Sequence, residues 1–330
     1  MRHRTTALQL LMIALLTSLG FTVESWAQTQ SPRVGILTFD AVTVDPTVES
    51  WLEPFRRTLA DEGWIEGKNV VFEYRTAHSD PSRFAQPAAE LVRLRVDVIF
   101  AHSASAVRAA YAATRTIPIV ANDFVTDPVA EGYVESYNRP GGNVTGVFLD
   151  ATGFAGKWFE FLAAVVPGLS RAVILWDPIG GPTHLRAVEG IARSRGIQLQ
   201  VVEVHKPNDI DRAFSALRGR PQAMIILPSP MIYTHSERLA KLALEHRLPA
   251  TSMAREFALA GGTMAYGPDR ASTYRRDAVL VAKILAGARP GDLPVERPTR
   301  VQLVVNLKTA KIIGLTIPQS ILVSADEVVR

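Results

Sequence analysis

The chain offers a scattered set of side chains that together could grip a small molecule: Phe39 and Asp40; His102, Ser103 and Ser105; Asp123 and Phe124; Asp177; Ser229 and Tyr233; Arg255; and Tyr266. They supply rings to stack on, hydroxyls and an imidazole that donate or accept, carboxylates for an ammonium group and one guanidinium fork for a carboxylate. That mixture suits capture of a small polar or zwitterionic metabolite. The patterns of catalysis are missing from the sequence: it has no G-x-S-x-G elbow, Walker loop, H-E-x-x-H or G-x-G-x-x-G stretch. It has no cysteine, which removes thiolate catalysis, disulfides and Cys-ligated metals together. His235 and His246 are eleven residues apart on one expected helix, about 16 Å along its axis, too far to share a metal. No cofactor and no metal is expected.

Each candidate also has a plainer use. Asp45, Asp80, Asp127 and Asp177 all precede a proline, the pattern of a helix cap followed by Pro in the first turn, and the first three read better as caps than as ligand contacts. Asp40 and Asp123 lack that pattern, although acidic residues at strand ends also stabilise turns. Arg255 with Glu256 is either a solvated pair on a short helix or a fork for a carboxylate. Phe39, Phe124 and Trp176 fit a core, whereas Tyr233 and Tyr266, with polar tips, fit a cleft better.

The elements around these residues give them a common position. Short β-branched runs at 34–39, 70–74, 96–101, 117–121 and 144–149 alternate with helical patterns near 47–62, 82–95, 104–114 and 127–137. This βαβ series implies a parallel sheet. After a linking helix near 154–166, the same grammar restarts with strands at 172–176, 199–204, 223–227, around 251 and at 263–266. A helix at 271–285, a Gly/Pro-rich link at 287–298 and a strand at 301–305 follow. Residues 96–103, a helix and Ile117-Pro118 mirror 223–229, a helix and Leu248-Pro249. A hydrophobic fraction of 47% suffices for two cores, so two α/β lobes are expected. Ligands of open parallel sheets sit beyond the carboxyl ends of the strands, where loops and helix N-termini converge. With two such sheets facing each other, the site is the cleft between them.

Residues 127–146, DPVAEGYVESYNRPGGNVTG, carry the most specific signal. Asp127 and Pro128 can open a helix, and residues 138–142 break it before a strand. The stretch resembles the DPVaaGLV…sLNrPGGNvTG signature of ABC-transporter substrate-binding proteins of the type I periplasmic fold, a family that includes aromatic amino-acid binders. Further similarities are Glu62-Gly63-Trp64-Ile65-Glu66-Gly67-Lys68-Asn69-Val70, Glu256-Phe257 with Gly261-Gly262, Tyr266-Gly267-Pro268-Asp269, and Asn306-Leu307-Lys308-Thr309-Ala310-Lys311 through Gly314-Leu315-Thr316-Ile317-Pro318. Two places depart from it: His102-Ser103-Ala104-Ser105 stands where many relatives have a Gly-rich or Thr-rich loop, and Asp177-Pro178 where many have Asn-Pro. Both lie at expected ligand loops, so no relative's ligand is carried over.

The resemblance implies two similar doubly wound parallel-sheet lobes joined by a hinge. The first comprises 32–149 plus about 268–298, the second 150–267 plus about 299–330, with three crossings between them. It implies a monomer that takes a small-molecule ligand in the cleft, an amino acid or another aromatic or carboxylated compound, and delivers it to an ABC permease and its ATPase in the inner membrane. A periplasmic sensor acting on a signalling partner and a two-domain cleft enzyme are the alternatives. Arg2 and Arg4, the uncharged apolar stretch 7–23 and Ser25-Trp26-Ala27 read as a signal peptide over 1–27, cleaved near Gln28; a short membrane anchor is the other reading of that stretch. Without a cysteine to lipidate, the mature protein is expected free in the periplasm. A net charge of +4 with no run of five like charges gives no footprint for nucleic acid.

Overall fold

Val34, Ile36, Val98, Ile99, Val120, Val173, Ile174 and Ile225 have no solvent exposure, because the strands that carry them are covered on both faces. Such strands read as continuous apolar runs rather than alternating ones. The structure is a computed structural model and describes residues 31–39, 52–78 and 80–330. The segment read as a signal peptide, together with Asp40 and Asp45, lies outside the described residues. Residues Pro32–Arg330 make one compact unit of two lobes, each built on its own sheet.

The first sheet holds β1 (Arg33–Thr38), β2 (Val71–Thr76), β3 (Val98–His102), β4 (Ile119–Asp123) and β5 (Val144–Phe148) in the order β2-β1-β3-β4-β5. All its pairs are parallel, with Ile36 opposite Phe100 and Ala101 opposite Ala121. Successive residues serve opposite faces. Val34, Ile36, Phe100 and Val120 pack with Phe55 and Leu59 on one side, while Leu37, Ile99 and Ala101 pack with Leu91 and Val107 on the other.

The second sheet holds β6 (Arg171–Trp176), β7 (Gln198–Glu203), β8 (Ala223–Ile226), β9 (Ala250–Ser252), β10 (Met264–Pro268), β11 (Val301–Asn306) and β12 (Glu327–Val329), in the order β12-β11-β10-β9-β8-β6-β7. Among the described residues its one antiparallel pair is β10–β11. The same alternation appears, with Ile174 and Ile225 facing Trp158 and Leu162 while Val173 and Ile226 face Phe214 and Leu239.

The chain passes between the sheets after β5, after β10 and again before β11. The second passage matters most for the site. The Arg270–Leu285 helix follows a strand of the second sheet, yet its Tyr274, Ala278 and Val281 pack beside Phe55 and Phe100 of the first. Asp269 caps it by accepting from the Ser272 amide at 3.2 Å. The returning segment adds to the edge of β5, where Glu296 accepts from the Phe148 amide and donates to the Gly146 carbonyl, both at 2.9 Å. Gly146, with φ +140°, also lets β5 approach β4 closely; a Cβ there would stand 2.0 Å from the Ala121 carbonyl oxygen.

One expected element is absent. Residues 127–137 form a single turn and not a helix. Asp127 accepts from the amides of Val129 and Ala130 at 2.9 and 3.2 Å, as a cap would. Gly132 then adopts φ +72°, and the Tyr133 amide turns back to the Pro128 carbonyl, which ends the coil after one turn.

Candidate functional site

A cavity of about 350 Å³ opens beyond the carboxyl ends of both sets of strands. The first lobe contributes Thr38 and Phe39 at the end of β1, His102 to Ser105 at the end of β3, and Asn122, Phe124 and Val125 at the end of β4. The second contributes Ile179 after β6, Pro228 to Pro230 with Tyr233 and Thr234 after β8, and Glu256 after β9. Arg270, which follows β10 but belongs to a helix on the first sheet, completes the wall. The lobes touch around it: the Ala104–Ala113 helix meets the Pro178–Gly180 turn, and Phe124 packs with Trp158 and Leu185 of the second lobe.

Ser103 shapes one wall. Its φ of +114° and ψ of 156° lie in a region open essentially to glycine, at a cost of about 1–3 kcal/mol. The neighbours that hold it are visible: its amide donates to the Asn122 carbonyl at 3.0 Å, and its hydroxyl oxygen accepts from the Ala106 amide at 3.4 Å. The sharp turn aims the N-terminus of the Ala104–Ala113 helix at the cavity. First-turn amides have no partner within a helix and carry its positive dipole end. Ser229 does the corresponding work in the second lobe, accepting from the Ile232 amide at 3.2 Å.

Arg270 supplies the charge. Its Nη2 and Nε donate to Tyr274 Oη at 2.7 and 3.2 Å. Its guanidinium carbon stands 4.9 Å from the centroid of the Tyr233 ring, within the range of a cation–π contact. Nη1 is 3.9 Å from Glu256 of the other lobe. Tyr274 Oη also lies 3.0 Å from His102 Nε2. With both hydroxyl lone pairs taken by the arginine, the proton in that contact is the tyrosine's, which makes His102 Nε2 the acceptor. Burial, and then the charge of Arg270, push the His102 pKa down to about 3. The imidazole is therefore neutral, and the positive charge of this cluster is the arginine alone.

The expected site residues divide. Phe39, His102, Ser103, Ser105, Phe124, Ser229 and Tyr233 line the cavity together. Asp40 lies outside the described residues. Asp123, Asp177, Arg255 and Tyr266 are outside the lining, each for a physical reason. Asp123 is wholly buried, and its carboxylate accepts from the Val125 amide at 2.8 Å, the Thr126 amide at 3.1 Å and the Thr126 hydroxyl; it closes a turn. Burial holds its carboxyl above the usual range against those bonds. Asp177 likewise serves a turn, accepting from the Ile179 amide at 3.1 Å. Its carboxyl is raised by burial and lowered by that amide and the Ser229 hydroxyl, so it stands behind the lining and steadies it.

Arg255 instead pairs with Glu327 of β12 at 2.6 Å, on the surface. Tyr266 is interior to a strand that runs on to Pro268. Its ring packs between Phe154 and Phe161 at 5.3 and 5.2 Å, and its carbonyl accepts from Trp158 Nε1 at 2.9 Å. The lining arginine that sequence reasoning passed over is Arg270. Its signal was the Pro268-Asp269 cap, which places the next residue at a helix N-terminus beyond a strand end. Tyr274, which fixes it, lies one turn further on.

The chain belongs to the ABC transporter substrate binding protein family, whose profile matches residues 41–329. It is 23% identical over 274 residues to the tyrosine-binding protein of Clostridioides difficile (strain R20291), covering 82% of this chain and 78% of that protein. Among solved structures it resembles a conserved domain protein from Vibrio cholerae, with 25% identity, a TM-score of 0.80 and coverage of 91% of this chain and 100% of the other. It also resembles the ABC domain in complex with L-Trp from Streptococcus pneumonia, with 21% identity, a TM-score of 0.80 and the same coverage of each chain. The architecture is that of the type I periplasmic binding proteins, and the family is one of substrate-binding proteins rather than enzymes.

Proposed function

We propose that this protein captures a small polar or zwitterionic ligand, an amino acid or another aromatic or carboxylated compound, between its two lobes, and presents the closed form to an ABC permease for import. The observation that carries this reading is a cavity walled by both lobes, with Arg270 of one facing Glu256 and Tyr233 of the other. A ligand that touches both walls stabilises closure, which is how binding becomes a shape that a permease can recognise. The relatives named for tyrosine and L-Trp support an aromatic ligand, and Phe39, Phe124 and Tyr233 supply the rings to receive one.

Micromolar affinity is about −8 kcal/mol. Burial of one ring together with charge-assisted hydrogen bonds of about 1.5–3 kcal/mol each reaches it after ordering costs. The reading places the protein in the periplasm, with the permease and its ATPase as partners. Thermal unfolding of ligand-stripped protein against amino acids, aromatic acids, sugars and nucleosides tests it. A ligand at 100 times its Kd adds about 2.7 kcal/mol, a plain upward shift. A folded protein that no member of the panel shifts contradicts the reading.

A further inference from the structure

We propose that Arg270 sets the charge class of the ligand: it takes the carboxylate of an aromatic acid, and compounds that lack that carboxylate are rejected. The inference rests on the solute-capture reading above and adds the group that selects.

Arginine carries five N–H groups and accepts nothing. Two of them point to Tyr274 Oη; among the described residues the other three have no acceptor within hydrogen-bond distance, since Glu256 stands off at 3.9 Å. The Glu256 side chain is 53% exposed, so water screens it, whereas the Arg270 side chain is 29% exposed and that remainder opens on the cavity. A charged fork with donors left over beside aromatic rings is ready to receive an acceptor. A carboxylate meets two parallel N–H groups at once.

The fork is also held still. Tyr274 is fully buried in the first-lobe core, its hydroxyl bridges Arg270 and His102, and the Tyr233 ring covers one face of the guanidinium from the opposite lobe. A group whose rotamer is fixed before binding loses little freedom on binding. Because His102 is neutral, a single positive charge awaits the ligand, which matches one carboxylate better than two. Phe39, Phe124 and Tyr233 line the rest of the space. Glu256 lies where an ammonium group beside that carboxylate would meet it, so an α-amino acid fits the same fork.

The test compares matched acid and amide pairs, 3-phenylpropionate with 3-phenylpropionamide and L-phenylalanine with L-phenylalaninamide, by titration calorimetry on ligand-stripped protein. Wild type should prefer each acid by about 100-fold or more, the worth of two charge-assisted hydrogen bonds. Arg270→Met should erase that preference while far-UV circular dichroism stays unchanged, and Arg270→Lys should restore part of it. Tyr274→Phe, which frees the fork without touching a ligand, should lower the acid-to-amide ratio by about tenfold, equivalent to one hydrogen bond, and leave amide affinity alone. An acid preference that survives in folded Arg270→Met overturns the proposal, as does equal binding of acid and amide by wild type. Either result leaves solute capture standing, because a ligand was bound. If no acid and no amide binds wild type, the proposal fails together with the aromatic reading beneath it.

Discussion

Asn122 Nδ2 donates to Asp277 Oδ2 at 2.5 Å, joining the end of β4 to the helix that begins with Arg270. Asn122 lines the cavity, while Asp277 is fully buried and its Oδ1 has no hydrogen-bond partner among the described residues. Burial holds the Asp277 carboxyl well above the usual carboxylate range, with the nearby Glu296 adding to the rise and Asn122 and Arg276 opposing it.

A carboxyl raised in the folded state keeps a proton that the unfolded chain releases, so its contribution to stability is lost as pH rises through the folded value. Asp277→Asn removes the titration and keeps an acceptor for Asn122. Denaturant unfolding should show the variant gaining on wild type as pH rises above about 4, the unfolded carboxyl's range. A constant difference above that pH contradicts a raised Asp277.

His184 titrates in the opposite sense. It is buried at 2% exposure, stacked 6.2 Å from the Trp158 ring, and neither ring nitrogen has a hydrogen-bond partner among the described residues. Burial pushes its pKa down to about 4, against a favourable influence of the Val125 backbone across the cleft. The unfolded chain therefore binds the proton first, and stability falls as pH drops from about 6.5 to about 4. The loss amounts to about 3 kcal/mol. His184→Leu should flatten that acid limb, and an unchanged slope would show that His184 is not its source.

Ser103 is strained for a reason that glycine lacks. Ser103→Gly removes the penalty of φ +114° and gives up only a weak cap, so the ligand-free variant should be more stable by about 1 kcal/mol. Ser103→Ala keeps the strain and loses the cap, and should be less stable than wild type by about 0.5–2 kcal/mol. Equal melting temperatures for the two variants would remove the strain argument.

Gly146 and Gly267 make close approaches that no side chain allows. A Cβ would lie 2.0 Å from the Ala121 carbonyl oxygen in the first case and 2.2 Å from the Met253 carbonyl oxygen in the second. Either Gly→Ala change should cost more than about 3 kcal/mol, since backbone must move. Gly168→Ala, with no atom within 4 Å of its Cβ but φ +69°, should cost only about 1 kcal/mol. Similar losses at all three sites would contradict the packing described.

The strands were readable because both-face burial writes them as Val, Ile and Leu runs, and β1, β3, β4, β5, β6 and β8 fall where those runs are. The 127–137 segment reads as a helix in sequence because Asp-Pro caps a single turn as well as a helix, and only the geometry at Gly132 decides which. Phe39, His102, Ser103, Ser105, Phe124, Ser229 and Tyr233, all expected from the strand ends, line the cavity, since that expectation needs nothing more than the direction of the chain. It failed for Tyr266, where the strand runs two residues longer than its pattern suggests. It chose Arg255 over Arg270 because local sequence does not say that one arginine meets Glu327 on a remote strand while the other joins a helix that changes lobes.

The central claim is that one ligand is held by both lobes. Titration calorimetry of the compound giving the largest thermal shift, on wild type, Phe39→Ala from the first lobe and Tyr233→Leu from the second, tests it most directly. Each variant, folded by circular dichroism, should bind at least about tenfold more weakly, as removal of a contact ring does. Wild-type affinity in either one would mean that a single lobe suffices, and capture between the lobes would be wrong.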